Sequence, residues 1–269
     1  MANNMNQEQV KEKLLILVDG KDDFTLLFSG KKSKKVNGLY HPEKKEIILH
    51  NKNFSNDNSM MYTAIHELAH HVHCSRSIGY AQSRAHTIEF KTIFHNLLDL
   101  AEKKGIYTNE IFSNKEFTEL TDKIKNDYIL KNGELMKQFG KLLLDAHMLC
   151  EKDAVRFEDY VERVLLMQNS AARSVMKLAS LNINPEIGFE NMKIVSRIAD
   201  EEVRKEVEAA FIEGSTPEVI KTQYLEKPKP DDLVERLLLE KEQVEKRIES
   251  LRKKLKIIED KINKIDGDA

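Results

Sequence analysis

The chain has 269 residues, 41% hydrophobic and 33% charged, with no Trp, five Pro and a formal net charge of −2. That length sustains a real core in one large domain or two small ones, and the profile is that of a soluble, helix-rich protein with extensive solvated faces. A balance this close to neutral excludes nucleic-acid binding through global charge and leaves only a local patch for that purpose.

Cys74 and Cys150 lie far apart and form no CxxC, which argues against a disulfide framework and for a reducing compartment. The apolar run Leu14–Val18 is too short and too polar in its flanks for a signal peptide. No stretch approaches the roughly 18–20 apolar residues that span a bilayer. The cytoplasm is the expected location, with no membrane partner.

Residues 7–55 combine a short helix with strand-like runs, Phe24–Phe28 and Glu46–His50. Gly38 to Ile47 reads as a hairpin with Pro42 in its turn. Lys31, Lys32, Lys34 and Lys35 read as a solvated loop. A helix is predicted from about Ser59 to Cys74, entered through the turn formers Asn56, Asp57 and Asn58. After a loop centred on Gly79, a second helix is predicted from about Ser83 to Lys104, ending at Gly105. Phe90, Ile93, Phe94, Leu97, Leu98 and Ala101 follow helical spacing and define its inward face.

Residues 113–225 are almost wholly helical in pattern. Ser113 and Glu116 have the spacing of a capping box, and Gly140, Gly188 and Gly214 punctuate the segment. Phe157–Val164 and Ser170–Ala179, separated by a turn over Leu166–Asn169, have the lengths of a helix-turn-helix. The stretch is loosely similar to such regions in small phage and plasmid proteins. DNA bound there would meet Ser170, Arg173, Ser174 and Lys177 on the second helix. Against this, the stretch is barely basic, and a structural helical bundle is the competing reading.

Glu226–Pro230 is a Pro- and charge-rich linker. Beyond it, Val234, Leu237, Val244, Ile248, Leu251, Leu255, Ile258, Ile262 and Ile265 recur at alternating steps of three and four, with Lys241 breaking the seam. This pattern predicts a coiled coil over 231–266 and a homo-oligomer built on it. Packing of the seam onto the helical middle is the alternative.

The residues that carry chemistry lie in the first predicted long helix, His66-Glu67-Leu68-Ala69-His70. Positions four apart are offset by only about 40° around an α-helix, so both imidazoles can meet one ion. Zinc suits neutral imidazole ligands and, when catalytic, keeps one position open for water. Glu67 can then act as general base on that water. His71 and His73 point away from the His66/His70 edge, and Arg76 stands where a longer motif would place a third histidine. His86 is the preferred third ligand, because it precedes Phe90 and Ile93 by four and seven residues and so shares their inward face. Glu89 is the runner-up.

Together, Gly38-Leu39-Tyr40, an Ile-rich strand, HELAHH, a loop and His86-Thr87-Ile88-Glu89-Phe90-Lys91 resemble the SprT/Spartan type of zinc metallopeptidase over residues 36–106. The resemblance implies that the histidine of the second element, here His86, is the third zinc ligand. Thr87 stands where that family has glycine, and no cysteine-rich zinc ribbon follows. The hairpin before HExxH is also similar to the ImmA/IrrE peptidases of mobile elements, a similarity that implies an acidic third ligand and favours Glu89.

The expected architecture is α+β: a zincin-type domain over 1–110, a helical domain over 111–225 and a terminal coiled coil. The expected function is zinc-dependent hydrolysis of a protein substrate, with DNA as a candidate place where enzyme and substrate meet. The rival is a DNA-binding or scaffold protein of a mobile element whose metallopeptidase-like domain is not catalytic.

Overall fold

The computed structural model describes residues 5–20, 23–76, 86–110, 114–225 and 233–267. The chain divides into two compact units, Met1–Glu226 and Lys227–Ala269. It is mostly helical with one small sheet, broadly α+β. Among the described residues no helix is long and apolar enough to cross a membrane.

The first unit opens with α1 (Gln7–Leu17). Asn6 and Gln9 cap it reciprocally, each side chain accepting from the other's backbone N–H at 2.9 Å. Val10, Leu14 and Leu17 fall on one stripe of α1 and are buried. Three strands follow: β1 (Thr25–Phe28), β2 (Gly38–His41) and β3 (Glu46–Leu49). The expected hairpin is present, with β2 antiparallel to β3 and a 3-10 turn over Pro42–Lys44. Lys45 leaves that turn in the left-handed region, at φ 48°. β1 pairs parallel with β3, which gives the order β1-β3-β2 and leaves β2 at an edge. Ile47 and Leu49 alternate inward from the central strand and are fully buried.

Two long helices follow, the first packed on β2 and β3 and the second packed on the first. The first, α2 (Asp57–Arg76), starts two residues before the expected Ser59, because Asn56 caps it by accepting from the Ser59 N–H at 2.7 Å. Met60, Met61, Ala64, Ile65, Leu68, Ala69 and Val72 make its buried face. The second, α3 (Ile88–Lys103), is shorter than expected. Thr87 is its N-cap, accepting from the Phe90 N–H at 3.2 Å. Ser83 and the loop around Gly79 lie outside the described residues. At its other end Gly105, at φ 64°, takes the left-handed position that closes a helix, and the Ile106 N–H donates back to the Ala101 carbonyl. These elements share one core.

Helices then run to the end of the unit. α4 (Lys115–Ile124) continues through a π-helical stretch over Lys125–Leu130 into α5 (Lys131–Lys152). Its cap is Asn114, which accepts from the Glu116 and Phe117 N–H groups; Ser113 lies outside the described residues. α6 (Phe157–Asp159) extends by a π-helical turn to Val164, and Leu166 at φ 54° turns the chain into α7 (Asn169–Ser180). α8 (Phe189–Val195), α9 (Glu201–Ile212) and α10 (Pro217–Ile220) complete two further clusters of buried residues. Gly188 and Gly214 sit in turns with positive φ, as punctuation requires. Gly140 does not. It lies inside α5, where a Cβ would overlap the Val175 carbonyl oxygen of α7.

The second unit is one helix, α11 (Leu233–Gly267), about 50 Å long at 1.5 Å per residue.

Candidate metal centre

The site begins with the helical spacing on α2. His66 and His70 sit one turn apart on its half-buried edge, with ring centroids 5.0 Å apart. His86 reaches them from the loop before α3. It is not part of the helix as expected: it precedes the cap residue and adopts φ 63°. That left-handed conformation, uncommon for a non-glycine residue, turns the imidazole back toward α2. Its ring centroid lies 5.0 Å from that of His66 and 5.2 Å from that of His70. The Nε2 atoms of His86 and His66 are 3.1 Å apart.

One potential ligand atom from each of the three histidines lies within 4.8 Å of the other two. A tetrahedral ion with metal–nitrogen bonds near 2.05 Å holds its ligand nitrogens about 3.3 Å apart. The group is therefore close to the geometry that one ion requires, and it can hold a metal ion. Glu89, in the first turn of α3 and half-buried, is not in this group.

Phe90 is the floor of the site. It is only 2% exposed and stacks on His70 at 4.2 Å, with its edge or face toward His66 and His86 at 5.1 and 4.8 Å. Phe94 closes on His66 from the next turn, at 5.0 Å. This aromatic floor lowers the local dielectric, and burial is the main reason His70 falls to about 4, followed by the neighbouring His66, His86 and His73. Burial and then His86 lower His66 as well. Both imidazoles of α2 are therefore neutral at neutral pH, the form that ligates metal.

The other two histidines of the run brace α2. His71 is buried, and its Nδ1 is hydrogen-bonded to the Tyr40 hydroxyl of β2 at 2.9 Å. His73 is also buried, with Nε2 3.3 Å from Thr87 Oγ1. The side chain that replaces the glycine of the resembled family thus caps α3 and ties it to α2, just beside His86.

Glu67 is 7% exposed, and burial raises its carboxyl to about 7. It packs against the edge strand at Gly38, where a Cβ would lie 2.9 Å from Glu67 Cγ and 3.0 Å from Oε1. Only glycine leaves the carboxylate that space. From sequence, Phe90 is an inward position of the second helix and Gly38 and Tyr40 belong to the hairpin, but their contacts with Glu67 and the histidines are not legible there. All three stand in the motif-bearing segments, but their roles depend on contacts between elements.

A cleft of about 420 Å³ lies along the first half of α2, lined among others by Tyr62 and Thr63 of that helix and by Tyr107 and Glu110 beyond α3.

The four candidate DNA contacts lie together on α7, opposite the face that packs on α5. Ser170, Arg173 and Lys177 are exposed and Ser174 is half-buried. The Arg173 guanidinium donates to Glu158 Oε1 at 2.7 Å, which occupies one of the two cations of the face.

Comparison of the chain with protein-family models, with curated proteins and with solved structures finds no match in any of the three.

Proposed function

We propose that this protein is a zinc metallopeptidase that hydrolyses peptide bonds of a protein substrate in the cytoplasm. The observation that carries the reading is the convergence of His66, His70 and His86 beside a buried Glu67 on the same helix. Three protein ligands leave a fourth position open, the arrangement of catalytic rather than structural zinc. Zinc held there supplies a Lewis acid that acidifies water and polarises a carbonyl. The chain's own residues do the rest. The Glu67 carboxylate removes a proton from water as its oxygen adds to the scissile carbonyl carbon. Glu67 then returns that proton to the amide nitrogen as the C–N bond breaks. Its raised proton affinity suits both halves of this transfer near neutrality. Phe90 and Phe94 keep water from the rear of the imidazoles.

The test is a set of single substitutions scored for metal and for proteolysis. His86→Ala should lose bound zinc and Glu89→Ala should keep it. Glu67→Gln should keep zinc and fold but spare every protein that the unaltered chain cleaves. Full zinc retention in His86→Ala would remove the ligand assignment. Undiminished cleavage by Glu67→Gln would remove the base and favour a metal-binding scaffold.

A further inference from the structure

Resting on that reading, we propose that the cleft beside the metal centre is a subsite for a cationic side chain, lysine or arginine, of the bound peptide. Its position follows from the helix: Tyr62 and Thr63 lie one turn, about 6 Å, before His66 and Glu67. Two further contacts join the cleft to the centre. Tyr62 packs edge-on against Phe94 at 5.5 Å, and Phe94 packs against His66. Thr63 and Glu67 both border the same missing Cβ of Gly38. A peptide whose scissile bond lies at the metal therefore has a neighbouring side chain at the cleft.

The chemistry of the walls selects that side chain. Among the described residues lining the cleft, Glu110 is the one charged group, and none is basic. Asn58 fixes the acid: its Nδ2 donates to Glu110 Oε1 at 3.1 Å and to the Thr108 carbonyl at 2.7 Å, while its Oδ1 accepts from the Thr108 N–H. Tyr62 and Tyr107 form an aromatic corner, with centroids 5.9 Å apart, and Tyr62 is 43% exposed. Aromatic faces beside a carboxylate attract ammonium and guanidinium groups. The negative field reaches Tyr107, whose hydroxyl is pushed up by burial and then by Tyr62, Glu102 and Glu110. A volume of about 420 Å³ falls within the 300–1,000 Å³ typical of ligand pockets.

The probes are acetyl-arginine amide and its neutral isostere acetyl-citrulline amide, titrated into zinc-loaded, full-length Glu67→Gln protein. Tyrosine ring resonances, assigned with Tyr62→Phe and Tyr107→Phe, report binding. The arginine probe should shift Tyr62 and Tyr107 at concentrations at least tenfold below those of the citrulline probe, and Glu110→Gln should bring the ratio near one. Equal potency of the two probes, or shifts confined to other tyrosines, overturns the subsite. No bond is cleaved in this titration, so it decides the cleft even if the peptidase reading fails. Digestion of a mixed peptide pool is the second arm. Cut sites with Lys or Arg at one fixed position, lost in Glu110→Gln, support the subsite. Cleavage without that preference overturns it and leaves the peptidase standing.

Discussion

Glu67 is held where ionisation is costly, and the sign of that cost can be measured. In the metal-free protein its carboxyl is raised from 4.5 to about 7 by burial. Between those values the unfolded chain has released the proton and the folded chain has kept it, so stability falls as pH rises through this window. His70, lowered from 6.5 to about 4, acts in the opposite sense: its contribution is complete above 6.5 and is lost as pH falls toward 4. The two effects overlap, so the measurement is a difference. Zinc-free wild type minus zinc-free Glu67→Gln, followed as the urea midpoint, should decline from about pH 4.5 to pH 7 and level off above. A difference that rises with pH would contradict the burial of that carboxylate. Gly38 can be tested separately. Gly38→Ala places a methyl where the Glu67 side chain lies, and that flexible side chain must move. A shift of about 1 Å in a reacting group costs about a hundredfold in rate. The variant should keep its zinc and its melting temperature while kcat/KM falls by about that factor; an unchanged rate would mean that Glu67 has room to spare.

At the scale of elements, the four histidines of α2 divide by face. His66 and His70 meet the ion-binding space, while His71 and His73 tie the helix to β2 and to the cap of α3. The first pair was legible in the sequence because spacing within one helix is local geometry. The hairpin was legible for the same reason, with Pro42 and the apolar alternation of β3 fixing it. His86 was legible as a residue but not as a conformation: at φ 63° it stands outside the helix, one residue before Thr87, whose hydroxyl meets His73, and helical periodicity does not foretell that angle. Gly140 shows the same limit. From sequence it resembles a break, but it is a helix-crossing point, a property of α5 and α7 together. That difference predicts a sign. Gly→Ala in an exposed helix interior gains about 1 kcal/mol. At position 140 the added Cβ meets the backbone of α7, and Gly140→Ala should instead lose about 2 kcal/mol by denaturant unfolding, in the range for overpacked contacts. A stabilised variant would show that α5 and α7 do not pack this closely.

At the scale of the whole molecule, the helical region of the first unit returns to α3, the helix that follows His86. Thr216 is 2.9 Å from His95 Nδ1, Glu218 pairs with Lys91 at 3.6 Å, and Thr222 is 3.0 Å from Thr92 Oγ1. The three imidazoles and the side chains that brace them thus all belong to residues before 226. The tail has a different need. In α11, Val244, Ile248, Leu251, Leu255 and Ile258 recur every three or four residues, Leu237 precedes them across Lys241, and each of these apolar residues is between 39% and 56% exposed. Among the described residues the ion pairs Lys241–Glu245, Lys246–Glu242 and Lys253–Glu249 lie within the helix's own turns and leave the apolar positions of that stripe exposed. An apolar seam that runs along a helix of 35 residues favours burial by association, and a second copy of the same seam is its simplest cover. Lys241 in the seam then favours a small parallel or antiparallel assembly over higher stacking, since each added strand would desolvate another ammonium. Light scattering should find the full chain as a dimer and a chain ending at 230 as a monomer, with equal zinc per chain. An oligomer that survives the truncation would place self-association in the first unit, and a full-length monomer would deny the seam its partner.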